Sequence, residues 1–209
     1  MGIEEATSLN IAILPDNRVT GLAISASQIV SVGYPTEFVL DQETFIPHTT
    51  VFQAHFPKQN IPIVLERVAS IAEHQAPFNL TLAERSISLD TFLWWNFLRS
   101  RVLQNLHDKV VKATNPLRQS LVLPHLVRVT GMTEEDRHDM TEFGSLKIGP
   151  RFSPHITITK LSDPKDANDA LLRSGLYRKE SFGVAKIIVG QLGSNGTVNG
   201  VIRAFDLEG

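Results

Sequence analysis

Two copies of one hexapeptide constrain this chain of 209 residues more than any other feature of its sequence. The first copy reads Phe45-Ile46-Pro47-His48-Thr49-Thr50, and the second reads Phe152-Ser153-Pro154-His155-Ile156-Thr157. The two histidines are 107 residues apart (155 − 48). Composition gives a single histidine roughly a 0.4% chance of this proline and this threonine, so a duplicated match is not expected by chance. The repeat predicts a duplicated fold with one motif strand in each half.

The predicted elements follow the same order in both halves: strand, helix, strand, helix, strand, strand. Apolar runs, caps and turn residues place the elements. In the first half we predict strands at 10–14, 45–52, 78–82 and 87–94 and helices at 16–32 and 61–72. An amphipathic helix at 97–114 follows. In the second half we predict strands at 121–130, 152–161, 185–192 and 198–207, helices from 133 and at 163–174, and a hairpin turn at Asn195-Gly196.

The spacing within each motif predicts which side chains share a face. Residues i and i+2 of a strand point the same way, so His48 lies beside Thr50 and His155 beside Thr157. By the same rule, Phe52 and Thr159 are expected to extend these two faces. Two such strands placed side by side bring an imidazole and a hydroxyl group from each half into one cleft.

This set of groups suits phosphoester chemistry. One neutral imidazole takes a proton from water or a ribose hydroxyl, and the other, protonated, gives one to the leaving oxygen. The reference histidine pKa of ~6.5 allows both states near neutral pH. The threonine hydroxyls donate to the non-bridging oxygens, where charge develops. We therefore expect neither a metal nor a cofactor.

Two H-x-T-x motifs, one in each half of a chain of this length, resemble the 2H phosphoesterase superfamily. Its members include bacterial 2′-5′ RNA ligase-like proteins, cyclic phosphodiesterases and 2′,5′-oligoadenylate phosphodiesterases. The resemblance covers residues 8–207, and its one small departure is Thr49, where an apolar residue is usual. It implies that His48 and His155 are the catalytic pair and that Thr50 and Thr157 bind the phosphate. It leaves open which histidine is the acid and which is the base.

The fold implied by this resemblance is α+β, with an antiparallel sheet and flanking helices in each of two lobes. The lobes are expected to be related by a pseudo-two-fold axis through a central cleft. The boundaries follow from the repeat. We expect one bilobal domain over 1–209, with lobe one at 8–96, a connecting helix at 97–116 and lobe two at 117–209.

Several other residues are candidates with two interpretations each. Phe45 and Phe152 either stack a base beside the cleft or pack under the strand ends. Arg151 and Lys160 flank the second motif and either attract a phosphate or form solvated surface charge. Trp94 and Trp95 are adjacent in a predicted strand, so one faces the core and the other is available to a base. We interpret the remaining histidines, at 55, 74, 107, 125 and 138, as packed or exposed residues without chemistry.

Composition narrows the possible partners. The chain has no cysteine, a net charge of −2 and a pI of about 6.4, which disfavours thiol chemistry and a long nucleic-acid duplex. No apolar run approaches the ~20 residues of a membrane span. The start lacks the pattern of a signal peptide, so we expect a cytoplasmic location. Motifs typical of serine hydrolases, zinc hydrolases and Walker-type nucleotide sites are absent from the sequence.

The expected substrate is a 2′,3′-cyclic phosphate on a nucleotide or a short RNA end, and a 2′-5′-linked oligonucleotide is the second choice. Three alternatives remain. The first is an RNA-binding module that uses the same cleft without turnover, and the second is RNA end joining through the same residues. The third is a metal-dependent hydrolase.

Overall fold

Two four-stranded antiparallel sheets organise the chain in the computed structural model, which describes residues 5–175 and 179–209. The strands are β1 (Ala6–Ile13), β2 (Thr49–Pro57), β3 (Phe78–Ser88), β4 (Phe92–Phe97), β5 (His155–Lys160), β6 (Glu180–Val184), β7 (Lys186–Leu192) and β8 (Val198–Asp206). The helices are α1 (Asn17–Gly33), α2 (Ile61–Glu73), α3 (Arg101–Thr114), α4 (Glu134–Phe143) and α5 (Ala167–Arg173). The predicted α+β class is confirmed. No helix within the described ranges has the length and apolarity that crossing a bilayer requires.

Each sheet has a motif strand at its edge. The strand order is β2-β1-β7-β8 in sheet one and β5-β4-β3-β6 in sheet two. Helices α2 and α3 pack on sheet one, and α1 and α5 pack on sheet two. The sheets differ from the predicted lobes at 8–96 and 117–209, because each sheet takes two strands from either side of α3. Strand pairing, which joins distant segments, decides this division.

N-terminal capping residues fix where α1 and α3 begin. The Asp16 carboxylate accepts from the Val19 amide at 2.8 Å, which starts α1 at the predicted position. The Ser100 hydroxyl accepts from the Leu103 amide at 3.2 Å and starts α3. The predicted start of this helix at residue 97 was therefore wrong, because Phe97 is the last residue of β4.

Turn residues set the lengths of two hairpins. Leu89 and Asp90 both have positive φ values, 47° and 62°, which is the backbone twist that a tight hairpin needs. Strand β3 therefore continues through Ser88, beyond the predicted end at residue 82. The predicted turn at Asn195-Gly196 connects β7 and β8, with φ values of 60° and 76°.

The predicted strand at 121–130 was wrong, and this segment is a loop with a 3-10 turn at Leu126–Arg128. Its apolar residues do not share a face, because Leu123 is buried whereas Val127 is 71% exposed. Pro124 also lacks the amide hydrogen that a strand ladder uses. Strand β6 was not predicted.

Strand β2 contains a bulge directly after its motif threonine. Ala12 of β1 pairs with Thr50, and Ile11 pairs with Phe52, so Val51 has no partner. A bulge of one residue reverses the alternation of side chains beyond it. Phe52 is consequently 1% exposed and lies in the core, so the prediction that it extends the cleft face was wrong.

Strand β5 contains the equivalent bulge. Thr157 and Thr159 pair with consecutive residues of β4, which leaves Ile158 unpaired. Thr159 is fully buried, and its hydroxyl donates to the Phe38 carbonyl at 2.6 Å. The prediction that Thr159 extends the cleft face was therefore also wrong, and Lys160 takes that face instead. Both bulges lie three residues after a motif histidine.

His107 connects the two motif segments through the core. It is 1% exposed on α3, and its Nδ1 donates to the Val51 carbonyl of β2 at 2.6 Å. Its Nε2 accepts from the Gly149 amide, in the turn that leads to β5, at 3.0 Å. Nδ1 can donate while Nε2 accepts only when the ring is neutral. His107 is thus a structural bridge between the approaches to the two motifs.

We expect His107→Leu to lower the free energy of unfolding by about 2–4 kcal/mol, because the Val51 carbonyl and the Gly149 amide would each lose a partner. Urea unfolding followed by circular dichroism measures this change. The matched control is His138→Leu, since His138 is exposed and its replacement should change stability by less than about 0.5 kcal/mol. Equal effects of the two substitutions would contradict the bridging role.

His107→Leu should also change how the stability of the protein depends on pH. Burial lowers the pKa of His107, so the unfolded chain binds this proton first as the pH falls below ~6.5. The wild-type protein therefore loses stability over this range. The loss should be smaller in His107→Leu, where this proton has no site.

Candidate active site

The two motif strands meet across a cleft between the sheets. Strands β2 and β5 contact each other, with His48 directly before β2 and His155 as the first residue of β5. His48 lines one narrow recess together with Thr157 of the opposite motif. The fold thus brings together groups that the sequence separates by about half the chain.

Each motif histidine is tied to the backbone in the same way. Nδ1 of His48 donates to the Ile46 carbonyl at 2.8 Å, and Nδ1 of His155 donates to the Ser153 carbonyl at 2.8 Å. A proline follows each accepting residue and restricts it to extended conformations. Because Nδ1 holds a proton in this bond, the lone pair of each neutral ring lies on Nε2.

Asn10 of β1 completes the first motif, and the sequence analysis missed it. Its side chain is fully buried, and Nδ2 donates to Nε2 of His48 at 3.3 Å and to Oγ1 of Thr50 at 3.0 Å. The available signal was an amide in the middle of an apolar strand, Leu9-Asn10-Ile11, because buried polar groups are usually hydrogen-bonded.

The second motif has an aromatic neighbour instead. The Trp94 ring stacks on the His155 ring, with centroids 3.6 Å apart and planes 16° apart. Lys147 Nζ lies 4.8 Å from the centroid of the Trp94 ring. Trp94 is therefore engaged by His155 and Lys147, and we do not assign it to base stacking. Trp95 points into the core, where its Nε1 donates to the Ser174 carbonyl at 3.1 Å.

Both motif histidines are neutral near pH 7. Burial lowers the pKa of His155 to about 4, with smaller contributions from Lys147 and His48, although the backbone hydrogen bond with Ser153 opposes this effect. Burial also lowers the pKa of His48, although backbone hydrogen bonds with Ile46 and Gly196 oppose this effect. Lys147 was not among the predicted residues, since nothing in its sequence context connects it with the motif.

The two predicted phenylalanines have different surroundings. Phe45 lines the recess that contains His48, and it packs on Phe38 with ring centroids 5.6 Å apart. Phe152 stacks on the buried ring of His107 at 4.0 Å and 8°. Phe45 is thus beside the histidine pair, whereas one face of Phe152 is used for packing.

Arg151 and Lys160, the two predicted cations, both have partners within the protein. Arg151 forms ion pairs with Asp139, at 2.9 Å, and with Asp136, so its charge is balanced within the segment from α4 to β5. Lys160 Nζ donates to Oδ1 of Asn195 at 3.1 Å, and Asn195 lines the recess beside His48. Lys160 is therefore the nearer of the two to the recess.

Comparisons with known proteins identify the fold. No family model matches the chain, and neither does any curated protein. Among solved structures, the protein TT0787 of Thermus thermophilus has a TM-score of 0.61 and 16% identity over 97% of this chain and 98% of that chain. E. coli LigT complexed with phosphate has a TM-score of 0.57 and 14% identity over 98% and 99%. A phosphoesterase has a TM-score of 0.56 and 15% identity over 98% and 100%.

The chain shares the fold of these three proteins. The fold that the resemblance implies is thereby confirmed. In the described segments, no group of three or more histidine, cysteine, aspartate or glutamate side chains is arranged to hold a metal ion.

We expect Lys147→Gln to move the titration midpoint of His155 upward from about 4. The substitution removes a positive charge that repels the protonated ring, while burial still keeps the midpoint below ~6.5. NMR titration of the histidine Cε1 resonances measures the shift. Lys109→Gln is the control, because it removes the same charge from an exposed position on α3. An unchanged midpoint in Lys147→Gln would remove Lys147 from the electrostatics of the site.

Proposed function

We propose that this protein is a metal-independent phosphodiesterase that opens 2′,3′-cyclic phosphates of nucleotides or short RNA ends. The observation that carries this proposal is the shared recess of His48 and Thr157, which come from different copies of the motif. The backbone ties of the two histidines support it, because they direct both Nε2 atoms toward proton transfer.

The reaction needs one proton acceptor and one proton donor. A water molecule gives a proton to one imidazole as its oxygen attacks phosphorus, and the bond from phosphorus to one ribose oxygen breaks. The other, protonated imidazole gives its proton to that leaving oxygen, so the product is a phosphomonoester beside a free hydroxyl. The hydroxyls of Thr50 and Thr157 donate to the non-bridging oxygens as their charge grows.

Electrostatics divide the two roles. Lys147 disfavours the protonated form of His155, so we assign His155 as the base that accepts the proton from water. Each ring has one backbone hydrogen bond, with Ile46 or Ser153, that favours protonation against the effect of burial, and His48 has a further one with Gly196. The negative charge of a bound phosphate also favours the protonated form of His48. His48 is then the acid, and the reverse reaction exchanges the two roles.

Three observations favour a small substrate. The recess is narrow, the net charge of −2 does not favour a long duplex, and Phe45 offers a ring beside His48 for one base. E. coli LigT, which shares the fold, has been solved with phosphate, 3′-AMP and ATP. A nucleotide or a short RNA end fits these observations.

The test is an incubation with the four 2′,3′-cyclic nucleotides in EDTA. We expect wild-type turnover, and we expect His48→Ala and His155→Ala each to lower kcat on the order of 10²–10⁴-fold, the usual contribution of acid–base groups. His138→Ala, an exposed histidine on α4, is the control and should retain full activity. Phosphorus NMR of the product shows which ribose oxygen leaves.

Other outcomes separate the alternatives. Turnover that survives in both motif variants would contradict the two-histidine mechanism. Activity that appears only after a divalent metal is added would indicate the metal-dependent hydrolase. Nucleotide binding without turnover, unchanged in His48→Ala, would indicate the RNA-binding module. Activity on 2′-5′-linked oligonucleotides alone would move the substrate to the second choice, and joining of RNA ends would indicate ligation.

A further inference from the structure

The side-chain oxygen of Asn10 is buried and has no hydrogen-bond partner among the described residues. Two buried side-chain polar atoms lack a hydrogen-bond partner among the residues that the structure describes, Oδ1 of Asn10 and Nε1 of Trp94. A buried acceptor without a donor lowers the stability of a folded protein. Both atoms belong to residues that contact a motif histidine, which points to the chemistry of the site rather than to packing.

The contacts of Asn10 fix the protonation state of its neighbour. Nδ2 has two hydrogens, and its two contacts are Nε2 of His48 and Oγ1 of Thr50. Since Nδ1 of His48 already donates to Ile46, Nε2 has to accept from Asn10, and the ring is neutral. A proton on Nε2 would face a second donor and would break this contact.

A half-turn of the carboxamide removes the conflict. It exchanges Nδ2 and Oδ1, so that Oδ1 accepts from the Nε2 proton of His48. The Thr50 hydroxyl both donates and accepts, so it keeps a bond to Asn10 in either orientation. The unpaired Oδ1 then accepts from protonated His48, in addition to the backbone of Gly196, which also favours the protonated ring.

We propose that Asn10 is a positioning residue that follows the proton on His48, donating to Nε2 of the neutral ring and accepting from Nε2–H of the protonated ring. Thr50 stays in place in both states. The proposal rests on the proposed function, in which His48 alternates between these states during turnover. An asparagine suits this task because it carries both a donor and an acceptor and adds no charge.

The charged and titratable groups near His48 lie on other elements. His155 faces it from β5, and Lys147 lies behind the Trp94 ring. Lys160 is bonded to Asn195 at the recess. Because Asn10 is neutral, a change at this position alters the hydrogen bonding of His48 without removing any of these charges.

The first test needs no substrate. In 15N-labelled protein, the side-chain amide resonances of Asn10 should move with pH at the same midpoint as His48, and this movement should vanish in His48→Ala. Asn96 is the internal control. It lies opposite His155 in the register of β4 and β5, but its Nδ2 donates to Oγ of Ser86 at 2.8 Å. The proposal would be overturned if the Asn10 resonances did not shift with pH at the His48 midpoint.

The second test compares Asn10→Asp and Asn10→Leu with Asn96→Leu. Asn10→Asp supplies only acceptors and a negative charge, so the His48 midpoint should rise by roughly one unit or more. Asn10→Leu removes the donor to His48 and Thr50 as well as the unpaired acceptor. Its kcat should fall on the order of 10²-fold, with KM nearly unchanged, because His48 loses its alignment.

A purely structural role for Asn10 predicts a lower Tm with unchanged kcat in Asn10→Leu, and an unchanged kcat would overturn the proposal. An equal loss of kcat in Asn96→Leu would overturn it too, because that amide does not touch a motif histidine. The NMR measurements need no turnover, so a failure of the proposed substrate is distinguishable from a failure of this inference.

Discussion

The hydrogen bond from each motif histidine to the carbonyl two residues earlier is the contact on which the site depends. The prolines at 47 and 154 hold the accepting residues extended, and the two bonds have the same length, 2.8 Å. Because Nδ1 is occupied in both rings, Nε2 is left for proton transfer in both. The shared F-x-P-H-x-T pattern therefore gives the same local geometry in two different sheets.

A motif strand has to serve both the core and the cleft, and the paired bulges make this possible. Before the bulge in β2, His48 and Thr50 face the cleft. After it, the reversed alternation returns Phe52 to the core. The bulge in β5 does the same for Thr159. The edge position of both strands lets them approach each other, and His107 links their approaches through hydrogen bonds to Val51 and Gly149.

The neighbouring central strands make the two equal motifs chemically unequal. Strand β1 places a neutral amide, Asn10, against His48, whereas β4 places the Trp94 ring against His155 with Lys147 beyond it. An amide adapts to a proton on the ring beside it, and a cation opposes one. The proposed division into acid and base therefore comes from the neighbours of the histidines, since the motifs themselves are alike.

The sequence by itself determined the duplicated motif, the caps of α1 at Asp16 and of α4 at Thr133, and the turn at Asn195-Gly196, because each depends on residues close together in the chain. The α+β class followed from the resemblance that the motifs carry. Only the tertiary structure decided which strands share a sheet, where the bulges fall, and that Asn10, Trp94 and Lys147 adjoin the histidines. Those features depend on pairing between distant segments, to which a single residue such as Asn10 contributes no local signal. The apolar segment at 121–130 failed as a strand for the same reason, since none of the described strands pairs with its backbone.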